Sequence, residues 1–333
     1  MRLILKEDYC PKLDLIETQK AVKEVKDFFE DSLAQNLSLT RVAAPLFVQG
    51  DTGLNDNLSG TETPVTFDTE YMQNLQIVHS LAKWKRSALK RYEFDYNTGL
   101  YTDMNAIRKH ETLSNIHSLY VDQWDWEQRI RKEDRTDEML EKIVRDIYKA
   151  FKATEEYINA KYDYLSDKLP DEITFITSQE LYDMYPDLDD KGRETAIVKK
   201  YGAVFLKQIG YNLSNGAPHD MRSPDYDDWA LNGDILLYNP ILDSVIELSS
   251  MGIRVDEESM VKQLELANLT DRLELKYHQD VVHRRLPYTV GGGIGKSRLA
   301  MFFLEKLHIG EVQSSIWSDE MQEICQENNI PLL

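Results

Sequence analysis

The sequence has few cysteines, few basic residues and no long apolar run, and each shortage excludes a class of protein. Cys10 and Cys325 are the only cysteines and could form one disulfide, but no export signal precedes Glu7, so we expect two reduced thiols in the cytoplasm. The 39 Lys and Arg residues face 58 Asp and Glu residues, and the formal net charge is −19. This charge disfavours nucleic acids and anionic membrane surfaces as partners. No apolar run approaches the roughly 20 residues that span a bilayer.

What the sequence does contain is enough apolar material for a large core, since 42% of its residues are hydrophobic. Periodicity predicts long amphipathic helices at residues 15–35 and 136–160, and strands at Ser38–Val48, Leu100–Arg108 and Ile116–Trp126. Strands joined by short loops outnumber strand–helix–strand alternations. The expected fold class is therefore α+β, a largely antiparallel sheet flanked by helices.

A glycine-rich segment, Gly291–Gly295, is predicted to form a loop that opens a helix at Ser297–Leu307. Its sequence, GGGIGKS, ends like a phosphate-binding P-loop, but Val290 stands where that motif needs a glycine. A plain tight turn is the structural alternative, although so many glycines are unfavourable for backbone entropy. Close approach of the backbone to a ligand is the better explanation, and it places Arg298 where a phosphate or an adenine would lie.

Polar residues interrupt the apolar alternation of the predicted strand Ile116–Trp126. Gln123 and Asp125 fall on one face of this strand, and Arg108 ends the strand before it. A solvent-facing strand end would give the same pattern. An arginine that faces a carboxylate and an amide also suits a polar pocket with an anionic guest.

Two further groups of carboxylates attract attention. Glu247 lies inside an apolar run, and a buried carboxylate needs a cationic partner or a metal. Arg254 is the ion-pair alternative, whereas Asp234 and Glu247 together are a reasonable pair for Mg²⁺, and the pattern leaves both readings open. The acidic stretch Arg222–Trp229 is typical of a solvated loop with a local arginine. The histidines match no zinc or nucleophile motif and are interpreted as structural.

Three stretches, in this order, resemble the signature motifs of class II aminoacyl-tRNA synthetases. The helix at 15–35 and the strand ending at Pro45 are similar to the first motif, which builds the dimer interface of that class. The strand ending in Arg108, its loop and the strand YVDQWDWE look like the second, and GGGIGKSR with its helix looks like the third. ELSSMGIR resembles the metal- and ligand-binding strand of the aspartate and asparagine branch.

Within this class the chain resembles the ammonia-dependent, AMP-forming asparagine synthetases, or aspartate–ammonia ligases. The segments that carry the resemblance are GDTGLNDNLSG, VHSLAKWKR, LYVDQWDWE, SPDYDDW, LNGDIL, ELSSMGIR and GGGIGKSRL. The first motif begins near the start of the chain and the third ends near its end, so we expect a single catalytic domain over residues 1–333 without an anticodon-binding module. Position 2 is Arg2 and neither cysteine has a nucleophile setting, which favours free ammonia as the nitrogen donor.

The resemblance implies a two-step ligase reaction in a homodimer that uses Mg²⁺. The side-chain carboxylate of L-aspartate attacks the α-phosphate of ATP, which gives β-aspartyl-adenylate and diphosphate. Ammonia then attacks the activated carbonyl and releases L-asparagine and AMP. No tRNA, other nucleic acid or membrane takes part.

The resemblance also assigns the site residues. The expected catalytic residues, for ammonium capture, the α-phosphate and the acyl carbonyl, are Asp56, Arg108 and Gln123. The residues expected to bind L-aspartate are Lys85, Asp125, Ser249, Ser250 and Arg254. Those expected to bind ATP are Arg108, Arg222, Asp227, Glu247 and Arg298, and those for Mg²⁺ are Asp234 and Glu247. The division of roles among Asp56, Gln123 and Asp125 stays open.

Two other functions would share these motifs. One is a tRNA-independent synthetase paralogue that adenylates an amino acid to modify another acceptor; asparagine formation without any such acceptor separates the two. The other is a catalytically silent, synthetase-like regulatory subunit. Such proteins usually lose their phosphate and metal residues, whereas this sequence keeps Arg108, Asp234, Glu247 and Arg298.

Overall fold

The computed structural model describes residues 3–58 and 62–333, so Ser59 and Gly60, the end of the polar segment GDTGLNDNLSG, lie outside the described residues. The α-helices are α1 (Leu15–Leu37), α2 (Ala82–Arg91), α3 (Asp137–Lys161), α4 (Ser178–Met184), α5 (Asp190–Tyr201), α6 (Glu257–Leu266), α7 (Lys276–Val282), α8 (Lys296–Phe303) and α9 (Asp319–Glu327). The strands are β1 (Leu39–Arg41), β2 (Phe47–Gln49), β3 (Thr66–Phe67), β4 (Leu75–Ile77), β5 (Gly99–Ile107), β6 (Tyr120–Ile130), β7 (Thr174–Thr177), β8 (Ala203–Lys207), β9 (Asp227–Asn239), β10 (Ser244–Arg254) and β11 (Tyr288–Gly295).

Eight of these strands form a central sheet in the order β1-β5-β6-β11-β10-β9-β8-β7. The inner pairings are antiparallel, and only the two edge pairings, β1 with β5 and β7 with β8, are parallel. A separate antiparallel sheet has the order β2-β4-β3. The α+β fold class with a largely antiparallel sheet is therefore confirmed.

One face of the central sheet is covered by α1 and α3, and this apolar packing fixes the orientation of β6. The ring of Phe29 on α1 lies 5.1 Å from the rings of Trp124 on β6 and Phe151 on α3. Side chains alternate along a strand, so burying Trp124 and Trp126 under the helices turns Gln123 and Asp125 to the opposite face. Thr136 caps the start of α3, where its side chain accepts a hydrogen bond from the backbone N–H of Met139.

The predicted loop at Gly291–Gly295 is wrong. These residues belong to β11, which lies between β6 and β10 in the middle of the sheet, and the helix after it runs from Lys296 to Phe303. Side chains of the two neighbouring strands lie across this strand, and a Cβ on Gly291, Gly292 or Gly293 would overlap them. The glycines therefore serve close approach of neighbouring side chains to the backbone.

Two predicted strands also differ in extent. The Ser38–Val48 stretch divides around Pro45 into β1 and β2, which belong to different sheets. The second-motif strand begins only at Tyr120, because residues 116–119 belong to the loop before it. Within the described part of the chain, no helix is both long enough and apolar enough to cross a membrane.

Candidate active site

A polar cavity of about 280 Å³ opens on the sheet face turned away from α1, over β6, β11 and β10. Among its lining residues are all but two of the predicted site residues, namely Asp56, Lys85, Arg108, Gln123, Asp125, Arg222, Asp227, Glu247, Ser250, Arg254 and Arg298. Residues from distant parts of the sequence therefore meet in one place.

The two exceptions are Ser249 and Asp234. Ser249 alternates with Ser250 along β10, and its buried hydroxyl has no hydrogen-bond partner among the residues that the structure describes. Ser249 therefore lies outside the cavity lining, and its role in substrate binding stays a prediction. Asp234 is not among the lining residues, but its carboxylate pairs with the guanidinium of Arg222, which is.

Arg254 is held by two buried carboxylates on neighbouring strands. Its Nε donates to both carboxylate oxygens of Glu127 at 3.0 Å, its Nη2 donates to Glu127 Oε2 at 2.7 Å, and its Nη1 pairs with Asp227. Burial favours the neutral acid, but Arg254 prevails and lowers the pKa of Glu127. The alternative of an ion pair between Arg254 and Glu247 is wrong, and the guanidinium lines the cavity in a fixed orientation.

Sequence reasoning missed Glu127, although the signal was present. Gln123, Asp125 and Glu127 share one face of β6 at period two, so the same alternation that predicts Gln123 and Asp125 extends to Glu127. It also missed His117, which lines the cavity and whose pKa is lowered to about 3, first by burial and then by the charge of Arg298. His117 is therefore neutral at neutral pH.

A buried cation and a buried carboxylate lie side by side near the cavity floor. Lys85 Nζ donates to the carbonyls of Trp126 at 3.0 Å and Gly292 at 2.9 Å, and it lies 3.6 Å from Asp125 Oδ2. Burial lowers the pKa of Lys85, and the charge of Asp125 opposes this shift. The same Asp125 oxygen accepts the backbone N–H of Leu81 at 2.9 Å, which fixes its position. Such a pair can receive the two opposite charges of an amino acid.

Arg108 stands at the end of β5 with its guanidinium in the cavity wall. Its backbone N–H donates to Leu119 at 2.9 Å, but its buried Nε has no hydrogen-bond partner within residues 3–58 and 62–333. A buried donor without a partner is unfavourable unless a guest supplies an acceptor. An anionic oxygen in the cavity would satisfy this donor.

Two further arginines line the cavity beside the carboxylates of β9 and β10. Arg298 donates to the carbonyl of Glu247 at 3.1 Å, and its Nη1 lies 3.9 Å from Glu247 Oε2. Arg222 donates to Ser250 Oγ at 2.9 Å and pairs with Asp234. Burial would raise the pKa of Glu247, but nearby positive charges, of which Arg298 has the largest effect, lower it below its usual value.

Asp56 is almost fully buried in the loop that follows β2. Its Oδ1 accepts the N–H of Leu58 at 2.9 Å, while its Oδ2 is buried and unpartnered among the described residues. Asn55 fixes the loop, because its Oδ1 accepts the N–H groups of both Asp56 and His79 at 2.9 Å. Burial raises the pKa of Asp56 to about 6. A carboxylate with such a pKa is suited to accept a proton near neutral pH.

We expect Gly293→Ala to weaken aspartate binding. A Cβ at this position would overlap Gln123 Oε1 and Asp125 Oδ1, so both polar groups must move. A misplacement of about 1 Å can lower activity about 10²-fold, and we expect the KM for aspartate to rise at least about tenfold. Gly295→Ala is the matched control on the same strand, since its Cβ would meet only Arg298 at an ordinary 3.4 Å. Steady-state kinetics on both variants provide the test. An unchanged KM for Gly293→Ala would contradict this account.

The sheet and its strand order give the chain the fold of the catalytic core of class II aminoacyl-tRNA synthetases. The structure is similar to asparaginyl-tRNA synthetase from Pyrococcus horikoshii complexed with asparaginyl-adenylate, with a TM-score of 0.65 and 14% identity over 89% of this chain and 68% of that chain. It is also similar to the Entamoeba histolytica asparaginyl-tRNA synthetase in complex with asparaginyl-adenylate, with a TM-score of 0.64 and 14% identity over 90% of this chain and 66% of that one.

Sequence comparison narrows the class to one family. Residues 16–329 match the aspartate–ammonia ligase family. The aspartate–ammonia ligase of Clostridium perfringens is 62% identical over 334 residues, which cover 100% of this chain and 99% of that protein. The ligase of Fusobacterium nucleatum is 60% identical over 325 residues, or 98% of this chain and 99% of that protein. The chain belongs to the aspartate–ammonia ligase family and forms asparagine from aspartate and ammonia, as the sequence motifs predict.

Proposed function

We propose that the chain makes L-asparagine through a β-aspartyl-adenylate, with the cavity residues in defined roles. The observation that carries this proposal is that one cavity holds both the buried Lys85–Asp125 pair and Arg108, whose Nε has no partner among the described residues. The arginine suits a phosphate, and the charged pair suits an amino acid. Aligning these two substrates, both of which carry negative charge at the reacting groups, is the main task of such an enzyme.

Aspartate is proposed to lie over β6 and β11. Its α-carboxylate faces the cations of Lys85 and Arg254, and its α-amino group faces Asp125, with Gln123 beside it. The 3.6 Å separation of Lys85 Nζ and Asp125 Oδ2 supports this orientation, because the two α-substituents of an amino acid are similarly close. Ser250 lies on the same face, at the junction with the phosphate residues. The side-chain carboxylate then points toward Arg108.

ATP is proposed to occupy the side of the cavity that carries the arginines. Arg108 holds the α-phosphate, where negative charge grows during attack. Arg298 holds the outer phosphates or the adenine, and Arg222 assists on the phosphate side. Asp227 keeps Arg254 in place at the border with the nucleotide, because the two side chains form an ion pair.

Asp234 and Glu247 fit the role of magnesium ligands. Their oxygens are the hard donors that Mg²⁺ prefers, and repulsion by the nearby Glu247 adds to burial in raising the pKa of Asp234. A cation between the two carboxylates would relieve this repulsion. Mg²⁺ commonly uses one or two carboxylates and completes its shell with phosphates and water, so no larger acidic cluster is needed. When bound, the ion would neutralise phosphate charge and help diphosphate to leave.

In the second step, Asp56 is proposed to bind ammonium and accept one of its protons. Its buried Oδ2 has no other partner in the described parts of the chain, and its raised pKa matches this task. Gln123 is placed to donate a hydrogen bond to the acyl carbonyl as it gains negative charge. AMP then leaves with the bond between the carbonyl carbon and the phosphate oxygen broken.

Purified protein should catalyse aspartate-dependent ATP–diphosphate exchange without ammonia, and it should release asparagine and AMP in equal amounts once ammonium is added. ADP instead of AMP would contradict the adenylate route. Transfer of the aspartyl group to a protein in place of ammonia would favour the synthetase paralogue. Absence of exchange would favour the silent regulatory subunit.

We also propose that the chain works as one catalytic domain in a cytoplasmic homodimer. The apolar face of α1 does not supply the interface, since Val25, Phe29 and Leu33 are buried in the core of the same protomer. Two other features support the dimer. They are the edge position of β1 in the central sheet and the exposed apolar side chains of Leu46 and Phe47 beside it.

Light scattering at micromolar concentration should show twice the mass of one chain. Leu46→Asp should shift the population toward monomer, because a buried unpaired carboxylate at a two-fold interface is present twice. Ile316→Asp is the matched control, since Ile316 is an exposed apolar residue in the C-terminal segment. A wild-type monomer, or equal behaviour of the two variants, would contradict this interface.

A further inference from the structure

A buried ion cluster that the proposed mechanism does not use lies behind the loop of Asp56. Its centre is Asp225, whose Oδ2 accepts hydrogen bonds from Lys83 Nζ at 2.9 Å, His278 Nε2 at 2.9 Å and Arg272 Nη1 at 3.2 Å. Its Oδ1 accepts the hydroxyl of Ser223 at 2.8 Å. Asp225, Lys83 and His278 are all buried. Every oxygen of this carboxylate is therefore engaged, and the cluster joins α2, α7 and the connection between β8 and β9.

The cluster packs against the loop that leads to Asp56, since a Cβ on Gly53 would lie 3.2 Å from His278 Nδ1. The charged or titratable groups that face Asp56 come from α2, the segment before it, the β8–β9 connection and the end of β5; they are Lys83, His79, Asp225, Tyr226 and Arg108. Lys83 favours the ionised form of Asp56, and Asp225 opposes it. Yet Lys83 makes its ion pair with Asp225, and Asp56 has no ion pair among the described residues.

We propose that Asp225 is a positioning residue for the ammonia step, which holds Lys83 away from direct pairing with Asp56 and so keeps the Asp56 carboxylate free to accept a proton from ammonium. This inference rests on the proposed role of Asp56. If Lys83 turned to Asp56, the resulting buried ion pair would stabilise the ionised acid and make it a poorer base. His278 and Arg272 reinforce the arrangement, because they keep Asp225 ionised and in place. The pKa of Asp225 accordingly lies well below its usual value, with Lys83 the main opponent of the effect of burial.

Two substitutions should move the pH dependence of asparagine release in opposite directions. Asp225→Asn removes the carboxylate that competes with Asp56 for Lys83, and it removes a negative charge that opposes the ionised form of Asp56. The acid limb of the profile should therefore move to lower pH by about one unit, with a lower rate at its plateau. Lys83→Met removes the cation that favours ionised Asp56, so the acid limb should move to higher pH by about one unit. Both profiles are measured at constant free NH₃, so that the titration of ammonium does not contribute.

His278→Gln is the matched control within the cluster. Burial lowers the pKa of His278, so the imidazole is neutral, and glutamine can keep a hydrogen bond to Asp225 without a change of charge. Its acid limb should stay at the wild-type pH. The pH profile of ATP–diphosphate exchange, which needs no ammonia, should keep its midpoints in all three variants.

The outcomes separate this inference from the one it rests on. Opposite shifts in the two charge variants support it, whereas an unmoved acid limb in Lys83→Met overturns it, even if Asp225→Asn fails to fold. A merely structural cluster would lower the rate and the melting temperature without moving the limb. Asp56→Asn should abolish the limb; if the limb persists there, the proposed role of Asp56 fails as well.

Discussion

Arg108→Ala should lower aspartate-dependent ATP–diphosphate exchange by about 10²–10³-fold, as loss of one donor to a developing negative charge does elsewhere. The guanidinium of Arg108 lines the cavity, and its buried Nε has no partner in the described part of the chain, so in the proposed adenylate step it would follow the α-phosphate as its charge grows. Interactions that strengthen only in the transition state change kcat more than substrate binding. We therefore expect kcat for exchange to fall while the KM for aspartate changes little.

Arg108→Lys is the informative companion to this variant. Lysine keeps the charge but loses the planar fork that matches two phosphate oxygens, so only part of the rate should return. Arg145→Ala serves as the matched control, because Arg145 forms an exposed i,i+4 ion pair with Glu141 on α3. Near-normal exchange by Arg108→Ala would mean that this arginine has no role on the phosphate.

The sequence predicts the structure best where the residue pattern lies within a single strand. The alternation of Trp124 and Trp126 with Gln123 and Asp125 predicts both the buried face of β6 and the polar face that lines the cavity. The glycine segment misled because glycine in a sequence suggests a turn. The segment is a strand here, and it needs glycine because side chains of Glu127, Gln123 and Met251 lie across it. Only the register of the three strands reveals this crowding.

Pairings between distant segments account for most of what sequence reasoning could not supply. Lys83 and Asp225 are 142 residues apart, and Arg254 and Glu127 are 127 residues apart. In each case a partner near in sequence, or on the same strand, offered an equally good local explanation. Ser249 and Ser250 show a different limit, because adjacent residues of a strand point to opposite faces and the motif alone does not tell which face holds the substrate.

Asp56→Asn should separate the two half-reactions. Asparagine keeps the size of the side chain and its hydrogen bond to Leu58, but it cannot take a proton from ammonium. Aspartate-dependent exchange should therefore stay near the wild-type rate, while asparagine release falls by about 10²-fold, a typical contribution of a positioned general base. Exchange and asparagine release are measured side by side on the same enzyme preparation.

The pH dependence of this variant decides between the two roles open to Asp56. If Asp56 serves as the base, asparagine release should recover partly at higher pH, where more free NH₃ is present. If Asp56 instead binds the α-amino group of aspartate, exchange itself should fall, with a raised KM for aspartate and no recovery at high pH. An equal loss of both steps would remove Asp56 from the ammonia site.

The stability of Asp56→Asn gives an independent check that the carboxylate is as buried as the structure shows. The pKa of Asp56 rises from 3.8 to about 6 on folding, chiefly through burial, so the folded protein holds this proton more tightly than the unfolded chain. The contribution to stability is therefore fully present below pH 3.8 and is lost as the pH rises through about 6. At pH 7.5 the ionised carboxylate destabilises the fold by up to about 3 kcal/mol, since one pKa unit corresponds to about 1.4 kcal/mol. Asparagine removes this cost, so urea unfolding should show the slow variant to be the more stable protein at pH 7.5, and an advantage that failed to shrink toward pH 4 would contradict a buried, titrating Asp56.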